Sequence, residues 1–140
     1  MANKYGKQVI GTFSAAQILP ADDTLTDSTF VEQKGCSGDV EIGVYANTDF
    51  VVSTGNYFNI AVECSVDGTN FTVPFLTNSH SYAIHKAVDD GALAQDAGEL
   101  ICKFTIPSDE FVSKTHWKLV YSTDEDLQAQ KVDAILYGIN

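Results

Sequence analysis

A chain of 140 residues has the length of one domain and can bury roughly 70% of the surface its unfolded form exposes, so its stability needs no disulfide framework. Its formal net charge is -11, and all eight basic residues are lysine. This excludes nucleic acid as an expected partner, because basic side chains supply most of the affinity for a phosphate backbone. Without arginine there is no bidentate fork for phosphate or carboxylate, and the acidity is left to serve solubility or to meet a basic partner surface.

Met1 to Lys7 lead into no apolar run, and no segment approaches the ~18 apolar residues of a membrane span, so the expectation is a soluble chain with no membrane partner, made in a reducing compartment. Residues 1–13 read as an amino-terminal arm or a first strand, preceding a domain over 14–140. Lys7 to Phe13 alternates poorly, and Ser14 to Leu19 is open between helix and strand until Pro20 ends it. The loop Ala21 to Thr24 leads to Leu25. Ser28 to Lys34 then reads as one strand, with Phe30 and Glu32 on the side opposite Val31, and Gly35 to Asp39 is a turn cluster.

The clearest alternation follows. Val40, Ile42, Val44 and Ala46 share one face of Val40–Asn47, opposed by Glu41, Gly43, Tyr45 and Asn47, which predicts a half-buried strand. Thr48 to Asn56 is long enough to cross to another sheet. In Tyr57–Val66 the apolar face is Phe58, Ile60, Val62, Cys64 and Val66, and Asp67-Gly68 supplies the positive φ of a hairpin turn before Phe71, Val73 and Phe75 resume the period. Thr77 to Ser81 reads as a loop and Tyr82 to Ala87 as a short strand. Val88 to Gly98 has room for no more than a turn of helix, given Gly91 and Gly98.

Leu100, Cys102, Phe104 and Ile106 make another apolar face, stopped by Pro107-Ser108-Asp109. Trp117, Leu119 and Tyr121 form the next, and Val132, Ala134 and Leu136 the last. Between these two, Thr123 to Gln130 reads as a loop in preference to a helix capped by Thr123. The total is about eight strands at sandwich spacing, without βαβ alternation.

Chemistry is sparse. Cys36, Cys64 and Cys102 are an odd set without C-x-x-C spacing, and Cys64 and Cys102 fall on apolar faces as buried free thiols. His80, His85 and His116 lack metal-ligand spacing, no nucleophile signature is present, and Asp67-Gly68-Thr69 lacks the rest of a calcium loop. No catalytic residue, metal ligand or cofactor is expected. Asp22-Asp23, Asp89-Asp90 and Asp124 to Asp126 read as solvated surface. Among Tyr45, Phe50, Tyr57, Tyr82, Phe111 and Tyr137 are aromatics outside the apolar faces, suited to stacking on a sugar or anchoring a protein contact.

The segment order, with Gly38-Asp39-Val40-Glu41-Ile42, a long connection, and Ser65-Val66-Asp67-Gly68-Thr69-Asn70-Phe71, resembles the jelly-roll capsid cement proteins of tailed bacteriophages. The likeness extends over Leu100–Pro107, Thr115–Ser122 and Val132–Ile139, and covers about Gly35 to Asn140; it departs at Trp117-Lys118-Leu119, where the family is more basic and carries tyrosine-leucine. The resemblance implies an all-β jelly-roll sandwich without catalysis, made in the bacterial host cytoplasm and carried on the outer capsid surface of the virion. It also implies that the protein clamps the major capsid protein. Self-association is expected as a homodimer, two-fold symmetry being the commonest closed form. The contact residues expected are Lys4, Tyr5 and Lys7 in the arm, with Phe50, Tyr82 and Phe111, alongside the unpaired edges of the sheets. The rival expectation is a carbohydrate-binding jelly-roll module, assisted by calcium.

Overall fold

The computed structural model describes residues 7–32, 39–53, 55–72 and 93–139. In chain order its elements are β1 (Lys7–Ile18), β2 (Thr24–Asp27), β3 (Val31–Glu32), β4 (Val40–Ala46), β5 (Phe50–Val52), β6 (Phe58–Ser65), β7 (Leu93–Gln95), β8 (Leu100–Ile106), α1 (Ser108–Val112), β9 (His116–Thr123) and β10 (Lys131–Ile139). The architecture is all-β and antiparallel, as the period of two requires.

One sheet has the order β1-β10-β4-β8, and in the other β9 lies between β6 and the pair β2 and β3. Because β2 and β3 meet successive stretches of β9, they are one interrupted strand. Residue Thr72, beside Cys64, continues the second sheet past β6. One sheet thus interleaves β1, β10, β4 and β8, and the other sets the β2–β3 strand, β9 and β6 side by side, with Thr72 bridged to the other edge of β6. That interleaving is the double Greek key of a jelly roll. A separate ribbon pairs β5 with β7.

The two sheets close on one core. Val40, Ile42 and Val44 of β4, with Val132, Ala134 and Leu136 of β10, face Phe58, Ile60 and Val62 of β6 and Trp117, Leu119 and Tyr121 of β9. Each large side chain buried in this way contributes about 1.5–3 kcal/mol relative to exposure. The Ser14 hydroxyl and the Tyr121 phenol lie 2.8 Å apart and tie β1 to β9 across the core.

Several expectations need correction. The strand β4 is covered on both faces, since Glu41 is buried as well as its apolar partners, because it lies inside the sheet and the Tyr45 ring folds back over its outer side. Ser14 to Ile18 is strand, continuous with Lys7 to Phe13, so the proposed boundary at 13/14 falls inside β1. Its alternation is concealed by three register shifts against β10.

Of the strand expected over Ser28–Lys34, the described part, residues 28–32, is not continuous strand. The Ser28 hydroxyl accepts from the Leu119 N–H at 2.8 Å, while the Thr29 N–H leaves the sheet and donates to the Phe13 carbonyl of β1 at 3.1 Å. The chain bends there, and β3 begins after it. Val66 lies outside β6 and is 64% exposed. Thr48 to Asn56 does cross between the sheets, carrying β5 on the way, whereas Val88 to Gly98 includes the strand β7. Pro107 stops β8 and starts the short helix α1, and residues 124–130 form a loop. The strand expectations for Val73, Phe75 and Tyr82–Ala87 lie outside the described residues.

Candidate functional site

Of the contact residues expected from sequence, Lys7, Phe50 and Phe111 fall among the described residues. Lys4, Tyr5 and Tyr82 lie outside the described residues. Lys7 opens β1 opposite Ile139. Phe50 and Phe111 are corrections, at 0% and 1% exposure. The β5–β7 ribbon places Phe50 edge-on to Phe58, with ring centroids 5.2 Å apart. The helix α1 stacks Phe111 on Trp117 at 5.5 Å, and the Trp117 indole N–H donates to the Phe111 carbonyl at 3.2 Å. Both aromatics are core, unavailable to a partner.

Two other surfaces carry the exposed features. The first is the edge where β1 and the β2–β3 strand run together, joined by Thr29 to β1. Val9, Ile18, Leu25 and Phe30 are all about half exposed or more along it. Single exposed apolar residues are ordinary; these four recur along the length of the edge. Around its Phe30 end stand polar groups of the second sheet. The His116 ring lies edge-on to Phe30 at 5.1 Å, with Nε2 3.5 Å from Glu32 Oε1 and Nδ1 2.7 Å from the Thr115 hydroxyl. Lys118 Nζ sits 2.9 Å from Asp27 Oδ2, 3.7 Å from Glu63 Oε1 and 4.4 Å above the Phe71 ring centroid. The ammonium and its neighbours fix β2, β6 and β9 relative to one another.

The second surface is a groove of about 440 Å³ on the outer face of the β1-β10-β4-β8 sheet, within the size range of small-ligand sites. Strand register brings it together: Asp133 pairs with Tyr45, Ile135 with Gly43 and Tyr137 with Glu41, all on the row facing away from the core. Tyr45 and Tyr137 join their hydroxyls at 3.0 Å. Burial, then the bond to Tyr137, pushes the Tyr45 phenol well above its ordinary value, so it stays neutral. Gly43 is required beneath it, since a Cβ there would stand 2.8 Å from the Tyr45 hydroxyl oxygen.

Asp133 is held by the bulge of β1. The Ala16 N–H donates to its Oδ1 at 2.7 Å, and the Asn47 amide reaches its Oδ2 at 3.1 Å. Ala16 has φ 51°, an uncommon left-handed value for a residue with a Cβ, and that turn aims its N–H at the carboxylate. Tyr45 and Tyr137 were visible as aromatics off the apolar faces, but Asp133 was missed. Its signal was its outward place between Val132 and Ala134.

Compared with known proteins, the chain matches no family model and no curated protein.

Three other carboxylates, Glu125, Asp124 and Asp67, are structural. Glu125 accepts from the Ser53 N–H and hydroxyl, both at 2.8 Å, and Asp124 from the Tyr57 N–H at 2.9 Å, so the acidic run read as solvated surface ties the crossing segment to the loop after β9. Asp67 accepts from the N–H groups of Asn70 and Thr69 and from the Ser65 hydroxyl, which hold its carboxyl well below the usual range. Among the described residues no group of three or more His, Cys, Asp or Glu side chains could hold a metal ion. Cys64 and Cys102 are free and buried as expected, and burial pushes the Cys102 thiol up to about 12. Cys36, His80, His85 and Asp89-Asp90 lie outside the described residues.

Proposed function

We propose that this chain is a tailed-phage capsid cement, or decoration, protein. In this reading it binds the outer surface of the major capsid protein lattice, works as a homo-oligomer with a dimer preferred, and stabilises the shell without catalysis. The observation that carries the reading is the strand order of the two sheets, the jelly roll that the sequence resemblance implies. The edge bearing Val9, Ile18, Leu25 and Phe30 supports it as a surface able to lose water against a partner. The charge of -11 favours a basic patch on that partner. Moderate contacts suffice, because a lattice repeats them and neighbouring engagements raise the effective concentration of each other.

The test adds purified protein to tailed-phage capsids that lack it, after light scattering has fixed its oligomeric state. Saturable co-sedimentation and a raised capsid melting temperature are expected, both diminished by the double substitution Leu25→Asp with Phe30→Asp. A strict monomer that leaves sedimentation and melting of the shells unchanged overturns the proposal.

A further inference from the structure

We infer that the groove on the outer face of the β1-β10-β4-β8 sheet binds a neutral saccharide, a ligand beyond what the lattice reading requires. Three observations point to that class. First, the groove combines the Tyr45 and Tyr137 rings with an apolar floor at Ile135. A pyranose presents one face of C–H bonds, which stacks on such a surface, and a rim of hydroxyls, which does not. Second, hydrogen-bonding groups stand at the rim. The Asp133 carboxylate is already oriented by Ala16 and Asn47. Its Oδ2 takes only the Asn47 amide among the described residues, so lone-pair capacity remains for a ligand hydroxyl. Thr12, the exposed cross-strand partner of Ile135 on β1, adds a hydroxyl-bearing side chain to the lining.

Third, among the described residues the lining includes a carboxylate and no lysine or histidine. On a chain of net charge -11 an anionic sugar would meet the repulsion of Asp133, an outward lysine of the sheet, Lys103 on β8, lying beyond Gly43 and outside the lining, whereas a neutral sugar donates hydroxyl protons to the carboxylate. Charge-assisted bonds of this kind are the stronger ones. The site is also preformed: the register of β4 and β10 sets the spacing of the two tyrosines and Asp133, and the β1 bulge holds the carboxylate in place. Little ordering is left for the ligand to drive.

The test titrates the isotope-labelled full chain with neutral hexoses, N-acetylhexosamines and their disaccharides, and separately with glucuronic and sialic acids, following backbone amide resonances. Saturable shifts are expected at Tyr45, Ile135 and Tyr137 with neutral sugars only. Asp133→Asn keeps an oxygen for the Ala16 N–H but removes the charge, and should weaken binding by about tenfold. Thr12→Val, at the exposed rim, should weaken it by a smaller factor, and keeps the test decisive if Asp133→Asn unfolds. Val66→Ser, outside the groove, should leave the affinity unchanged. The proposal is overturned if no neutral sugar moves the groove amides, if acidic sugars bind equally well, or if the folded groove variants bind like the parent. Capsid binding is read separately, so either proposal can fail alone.

Discussion

Strand β10 has two neighbours of opposite character. Against β4 it runs seven residues in unbroken register, from Val132 opposite Ala46 to Gly138 opposite Val40. Against β1 the register shifts three times. On the first flank the core-facing side chains follow from the period of two, and the outward Glu41 and Gly43 of β4 are covered as well. On the second, extra residues in β1 bend the strand, turn Ala16 toward Asp133 and open the wall of the groove. A regular ladder makes core, and an irregular one makes surface features.

The largest effect should come from the regular flank. Ile42→Ala, at a fully buried site, is expected to cost about 2–5 kcal/mol in denaturant unfolding, because a cavity is left that flanking strands cannot collapse into. A loss no greater than that of a surface change would break the contrast. On the irregular flank, Gly11→Ala places a Cβ 2.6 Å from Val31 Cγ1, and the stiff β-branched side chain cannot swing away. It should cost about 1–3 kcal/mol, and Val31→Ala in the same chain should reduce the cost of adding that Cβ, as a double-mutant cycle would reveal.

Smaller again is Tyr121→Phe, which removes the contact to Ser14 that anchors the bulged strand to the other sheet; about 1 kcal/mol is expected from equilibrium unfolding. The turn after β6 involves neither flank. Because Asp67 is held below its ordinary range, its contribution is fully present above the unfolded aspartate value of about 3.9 and is lost as pH falls from there toward the folded value. Asp67→Asn should therefore flatten the acid limb of a melting-temperature profile. Leu25→Asp, at 69% exposure, should leave stability within about 0.5 kcal/mol in thermal unfolding while weakening the proposed capsid docking.

The same contrast explains what the sequence made legible. Val40 to Ala46, Phe58 to Ser65, Trp117 to Tyr121 and Val132 to Leu136 each have a neighbour in unbroken register, and their alternation gave strands, facing and the sandwich. Ser14 to Ile18 was ambiguous because bulges erase the period. Ser28 to Phe30 was misread because the bend depends on a carbonyl of β1, distant in sequence. Phe50 and Phe111 were placed at the surface because a three-residue strand and a five-residue helix are too short to show a period. Tyr45 and Asp133 become neighbours only through strand register, which no local pattern encodes.

The position of β10 bears on how the chain folds. It is the last of the described strands along the sequence, yet it sits inside its sheet, between β1 and β4. Until residues 131–139 arrive, β1 has no partner in that sheet, and pairings such as Lys7 with Ile139 require closing almost the whole chain into one loop. Such closures cost entropy before any contact rewards them. Assembly of this sheet is therefore a late event in folding, and β10 acts as its keystone. Refolding should be slow for a domain of this size, on the order of milliseconds to seconds.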